Sequence, residues 1–230
     1  RVVKTVAGRV PVIAGAGSNS TAEAIELAAF SKKVGADATL QVDPYYNKPT
    51  QEGFYQHFKT IAEEVDLPMV LYDIPSRCGA GMTADTVVRL AQIENIVAIK
   101  DATGSLDHVS EIATRCDLTI LSGDDSLTLP IASVGGKGVI SVVANIVPAD
   151  VKAMTDLILE GDLVSARQWH NKLFALSKGM LTLATNPIPI KAAMAMLDMA
   201  PEEMRLPMVP MEESKKAVLR EALKAYGLLG

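Results

Sequence analysis

A lysine, a tyrosine and an arginine stand in this 230-residue chain where they could act together on a carbonyl compound. Lys100 closes the apolar run Ile96-Val97-Ala98-Ile99, which puts its amine at the rim of whatever that run builds, partly out of water. Burial lowers a lysine's pKa and leaves a neutral amine able to attack a carbonyl carbon. A solvent-facing lysine at the end of a strand is the commoner case, so Lys100 gains weight only from its company. Tyr72 closes the preceding apolar run, 68-PMVLYDIP-75, and a phenol within reach of an amine can carry protons while a carbinolamine forms and dehydrates. Arg77 follows on the next loop, and its planar fork suits a carboxylate. Singly these read as a strand-end lysine, a half-buried tyrosine and a surface arginine. Together they suit a substrate with both a carbonyl and a carboxylate.

Other groups make weaker cases. Gly15-Ala16-Gly17 lacks the third glycine of a dinucleotide fingerprint and reads as a tight backbone turn. Asp124-Asp125 suggests a metal, but His57, His108 and His170 are scattered without ligand spacing, and hydrogen bonding within the loop is the better reading. Cys78 and Cys116 form no CxxC pair. Lys191, in 188-IPIKAAMAML-197, is a rival amine, but it falls in a helical stretch away from any strand end.

The elements that must position these groups alternate. Short β-branched runs begin near residues 10, 38, 69, 96, 118 and 138 and read as six strands. Their continuous apolar character fits parallel strands covered on both faces. Helical periodicity lies between them: Phe54, Phe58, Ile61, Ala62 and Val65 share one stripe, Leu106, Val109, Ile112, Ala113 and Cys116 another, and Ser20 with Glu23 has capping-box spacing. The repeat is compatible with the ~30 residues per unit of a TIM (β/α)8 barrel, although a doubly wound sheet fits as well. In both, ligands bind beyond the carboxyl ends of the strands, where Gly17, Tyr45, Tyr46, Tyr72, Lys100, Gly123 and Ser141 fall. From Pro148 onward the chain reads as helix, with Val151, Met154, Leu157 and Ile158 spaced for one face. The expected division is a partial (β/α) barrel over residues 1-161 and a C-terminal helical domain over 162-230.

Composition removes other classes. With 49% hydrophobic and 21% charged residues the chain is an ordinary globular one, and no run approaches the ~18 apolar residues of a membrane span. Twenty-two basic against 27 acidic residues give a net charge of -5, so no basic field exists to draw nucleic acid. Two cysteines and no secretory apolar segment point to the cytoplasm.

The strings 44-PYYNKPTQEGFYQHF-58, 71-LYDIPSRCG-79, 98-AIKDATG-104, 120-ILSGDD-125, 138-GVISVVAN-145 and 186-NPIPIK-191 resemble the dihydrodipicolinate synthase family of pyruvate-dependent aldolases, from about Arg9 to the end of the chain. Arg77 after the Ile-Pro-Ser segment favours that family over the N-acetylneuraminate lyases. The resemblance implies a (β/α)8 barrel with a helical domain, assembled as a dimer of dimers and using neither metal nor organic cofactor. It implies that Lys100 forms a Schiff base with pyruvate, whose enamine attacks aspartate semialdehyde in the lysine (diaminopimelate) pathway. Tyr72 matches the proton-relaying tyrosine, Tyr46 the tyrosine that crosses to a partner's site, and Arg77 the carboxylate receiver. Gly123 and Ile140 match substrate-pocket positions. Gly17, Asn19, Glu23 and Tyr45 resemble the cleft where lysine inhibits some members.

Family members begin about two βα units earlier, roughly 60 residues at ~30 per unit, with a Gly-Thr-Thr-Gly-Glu segment not found here. Six strands leave an eight-stranded barrel open and its sheet edges exposed. Asp73 stands where asparagine is common, and Cys78 where threonine is common. A sugar-acid aldolase and an inactive fragment of the family are the alternative readings.

Overall fold

The β-branched runs become strands where the sequence places them: β1 (Ile13–Gly15), β2 (Ala38–Val42), β3 (Met69–Asp73), β4 (Ile96–Asp101), β5 (Thr119–Ser122) and β6 (Gly138–Val139). The computed structural model describes residues 1–230, in two compact units: Arg1–Ser122 with Val134–Gly136, and Gly123–Ser133 with Lys137–Gly230. The fold is the (β/α) barrel type with six strands, followed by helices.

In the first unit β1 to β5 pair in parallel and in chain order, with Ile13 beside Ala38, Leu40 beside Val70, Leu71 beside Ile99 and Lys100 beside Leu121. Between them run α1 (Val2–Val6), α2 (Thr21–Lys33), α3 (Gln51–Glu64), α4 (Pro75–Cys78), α5 (Ala84–Leu90) and α6 (Leu106–Ala113). Four of these start on a hydroxyl that accepts a first-turn amide: Ser20, Thr50, Thr83 and Ser105. Glu23 does not complete the expected capping box; its carboxylate accepts from Ser18 Oγ at 2.6 Å, and that same Ser18 oxygen takes the Ser20 amide.

Phe54, Phe58 and Ile61 of α3, Val87 and Leu90 of α5, and Val109 and Ile112 of α6 are fully buried with Leu71, Ile99 and Ile120 of the strands. Each large side chain so buried contributes about 1.5–3 kcal/mol. Toward the carboxyl ends the two sheet faces differ. Gln41, Asp73, Asp101 and Ser122 are buried on one, whereas Leu40, Val42, Tyr72, Lys100 and Leu121 on the other are only partly covered. The expectation of two covered faces therefore holds for one face there. The partly covered face is the one that a closed barrel would fill with its interior side-chain layers. An open edge also appears, as expected, at β1, where Ile13 is 46% and the nearby Phe30 62% exposed.

The second unit contains α7 (Thr128–Ser133), β6, α8 (Pro148–Glu160), α9 (Leu163–Leu181), α10 (Ile188–Met196) and α11 (Glu213–Tyr226). Its core joins Val151, Met154 and Ile158 of α8 to Leu173, Leu176 and Met180 of α9, Ala193 of α10, and Leu219 and Leu223 of α11. The run 138–145 is a strand for only two residues. Asp125 Oδ2 accepts the amides of Val142 and Val143, at 2.9 and 3.3 Å, and the chain turns there into a short 3-10 segment. No helix is long and apolar enough to cross a membrane.

Candidate active site

Tyr72 and Lys100 meet because the ladder between β3 and β4 slips by one residue. Met69 pairs with Ile96, but Val70 pairs with Ala98, so Val97 is passed over and stands 42% exposed. A regular ladder from Met69 would have set Tyr72 opposite Ile99, on the other face. The irregularity sets it opposite Lys100 instead, a re-aiming typical of bulges beside functional groups. Lys100 Nζ lies 3.8 Å from the centre of the Tyr72 ring, within cation–π range. Burial pushes the Tyr72 phenol above its ordinary pKa, while the Arg77 guanidinium pulls it back down. Arg77 sits in the single turn of α4, which Gly79 ends in the left-handed region at φ 85°. An amine, a phenol and a guanidinium thus share one end of the sheet.

Tyr46 is 89% exposed and adopts φ 74°, left-handed backbone that a bulky residue rarely takes. Its amide donates to Cys78 O at 3.1 Å, tying the loop after β2 to α4. The inhibitor-cleft candidates also gather in this unit. Asn19 Nδ2 donates to Tyr45 O at 3.1 Å, and Asn47 Nδ2 to Asn19 O at 2.9 Å. Gly17 is not in the left-handed region. It is needed because a Cβ there would meet the Val42 backbone nitrogen at 2.5 Å. Gly123 opens the second unit, and Ile140 follows β6 within it. Asp124 Oδ1 is held by Ser126, by its amide at 2.9 Å and its hydroxyl at 2.8 Å, which is the loop hydrogen bonding expected. Lys191 lies on α10 and donates to Glu203 O.

One feature of the sheet escaped the sequence reading. Asp43, Asp73 and Asp101 follow Val42, Tyr72 and Lys100 at successive strand ends and form a buried row on the opposite face, each 0–1% exposed. Asp101 accepts Thr103 Oγ1 at 2.8 Å and faces His108 Nδ1 at 2.9 Å; that hydrogen bond raises the histidine's pKa. The recurrence of aspartate at or just after the last residue of three successive strands was the available signal.

The dihydrodipicolinate synthetase family model matches residues 1–226. The chain belongs to that family. Relatives in the family include a 4-hydroxy-tetrahydrodipicolinate synthase from Methanocaldococcus jannaschii, 52% identical over 100% of this chain and 79% of its own length. Another, from Pelobacter propionicus, is 50% identical over 99% of this chain and 79% of its own length. The crystal structure of dihydrodipicolinate synthase from Aquifex aeolicus superposes with a TM-score of 0.96 at 51% identity, covering 98% of this chain and 78% of that one. Membership in the dihydrodipicolinate synthetase family makes the chain a lyase of lysine (diaminopimelate) biosynthesis.

Proposed function

We propose that the chain condenses pyruvate with L-aspartate 4-semialdehyde to 4-hydroxy-tetrahydrodipicolinate through a Schiff base on Lys100. The neutral amine adds to the pyruvate carbonyl carbon, and the carbinolamine loses water to give an imine. Loss of a methyl proton gives an enamine, whose carbon attacks the semialdehyde aldehyde. The amino group of the adduct then closes the ring at the imine carbon and releases Lys100. Tyr72, beside the amine, passes protons in the addition and dehydration steps. Arg77 receives a carboxylate, and Gly123 and Ile140 take substrate-binding roles on the family pattern. The observation that carries this reading is the Tyr72–Lys100 juxtaposition made by the register slip.

Tyr46, strained and projecting, suits insertion into a second copy's site, which supports assembly as a dimer of dimers. Gly17, Asn19, Glu23 and Tyr45 form the lysine-inhibitor cleft. The end of the βα alternation at Glu160 supports a barrel portion over 1-161 and a helical domain over 162-230. The composition supports a cytoplasmic location.

Intact-mass spectrometry of the chain after pyruvate and borohydride tests the chemistry. A reduced pyruvyl adduct absent from Lys100→Ala is expected; no adduct on the folded wild-type chain overturns the reading.

A further inference from the structure

Beneath the Tyr72–Lys100 pair the buried acids are not evenly neutralised. Asp101 has Thr103 and His108 as partners. Asp43 and Asp73 are both 0% exposed, and none of their four oxygens receives a hydrogen bond from a conventional donor of the chain. Their strand ends are adjacent, since Val42 pairs with Tyr72 and the Asp43 amide donates to Tyr72 O at 2.9 Å, which sets Asp43 and Asp73 side by side on the buried face. Two buried carboxylates in contact repel and lack solvent, whereas a carboxylic acid donating to a carboxylate satisfies both.

We infer that Asp43 and Asp73 share one proton and act as a positioning pair for the site above them, locking the end of β2 to the end of β3. Through these ends the pair sets Tyr45 and Tyr46 against Tyr72 and Arg77. This inference rests on the Lys100 reading only for the word "site"; the shared proton stands on the acid row itself.

The surroundings fit. Asp43 is pushed up by burial and then by the charge of Asp73; Asp73 is pushed up by burial, with Asp101 adding and His108 opposing. The other titratable groups coupled to the pair are Cys78, whose thiol donates to Asp43 O at 3.3 Å, and Tyr72; Arg77 acts on those two groups. His108 lies at hydrogen-bond distance from Asp101. The amides of Ile74 and Met82 lower Asp43 and Asp73 respectively, short of full hydrogen-bond geometry and against the larger effect of burial. Gly81 leaves room for the pair, since a Cβ there would come within 2.7 Å of Asp73 Oδ1. The lock is continuous with the backbone bond from the Tyr46 amide to Cys78 O and with the thiol on Asp43 O, both of which join the same two segments.

Two measurements on the 230-residue chain decide the matter without requiring turnover. Infrared spectroscopy at about pH 8, where an isolated aspartate is fully ionised, should show the carbonyl stretch of a protonated carboxyl group, lost in both Asp43→Asn and Asp73→Asn. No such band in the wild-type chain, or a band that survives either substitution, overturns the shared proton. Hydrogen exchange at the Tyr46 amide reports the lock. Asp43→Ala should speed it about tenfold, and Asp43→Asn, whose amide still donates to Asp73, should leave it within about threefold. Unchanged exchange in Asp43→Ala overturns the positioning role. If Asp43→Ala fails to fold, Asp73→Ala reads the same amide from the other strand. A chain that shows the carboxyl band and the exchange pattern but forms no pyruvate adduct would refute the Lys100 chemistry while leaving the acid pair established.

Discussion

Lys100 Nζ lies 3.8 Å from the centre of the Tyr72 ring, and the two residues are register partners on β4 and β3. The ring holds the amine, and the hydroxyl beyond it is free to act as a proton carrier, so the two roles of Tyr72 separate by substitution. Tyr72→Phe keeps the ring and should slow adduct formation with pyruvate about a hundredfold, the usual worth of a positioned general acid–base. Its unfolding midpoint should not move. Rapid-quench trapping with borohydride followed by mass spectrometry measures the rate, and an unchanged rate would remove Tyr72 from the proton path.

Gly17 and Gly15 provide a paired test of packing. A Cβ at position 17 would meet Val42 N at 2.5 Å and Val42 Cγ1 at 2.8 Å, and a backbone atom cannot swing aside, whereas a Cβ at position 15 has nothing within 4 Å. Gly17→Ala should cost about 1–3 kcal/mol, and Gly15→Ala should stay within about 0.5 kcal/mol of the parent. Urea unfolding midpoints compare the two.

His57 is buried and neutral, with its pKa held down at about 4 by desolvation. Nδ1 meets Thr21 Oγ1 at 2.9 Å, and no partner faces Nε2. An unfolded histidine titrates near ~6.5, so between the two values the unfolded chain binds the extra proton and stability is lost as the pH is lowered. The expected loss from this residue between about pH 7 and about pH 5 is ~2 kcal/mol, and it should vanish in His57→Gln. Denaturant titrations at the two pH values give the difference directly.

His108 works with the opposite sign. Its hydrogen bond to Asp101 raises its pKa in the folded chain, so its contribution is complete below the unfolded value of ~6.5 and is lost as pH rises through the higher folded value. His108→Asn should therefore be destabilised relative to the parent at about pH 6 and converge toward it on the alkaline side. A stability difference that grows with pH would contradict this assignment.

Much of the scaffold was legible in the chain itself. The stripe Phe54, Phe58, Ile61 and Ala62 is the buried face of α3, because a period of 3.6 is a property of neighbours in sequence. The six β-branched runs became strands for the same local reason. Residues 140–145 of the sixth run did not, and there a carboxylate seventeen residues upstream of Val142, Asp125, draws the amides of Val142 and Val143. The steric need for Gly17 was hidden for a similar reason: its constraint comes from Val42 on the next strand. The acid row was missed because a single aspartate where a strand ends looks like an ordinary loop start until the three strands are laid side by side.

The sequence by itself determined the residue types at the strand ends and the βα order that brings those ends together, since both follow from local propensity and hydrophobic period. Which strand-end side chains face one another was decided only by the tertiary structure. A side-chain period of two means that a slip of one residue exchanges the faces. The passed-over Val97 makes that slip between β3 and β4 and puts Tyr72 against Lys100. The next layer of the ladder places Asp43, Asp73 and Asp101 together on the buried side, where lack of water pushes the carboxyls of Asp43 and Asp73 up.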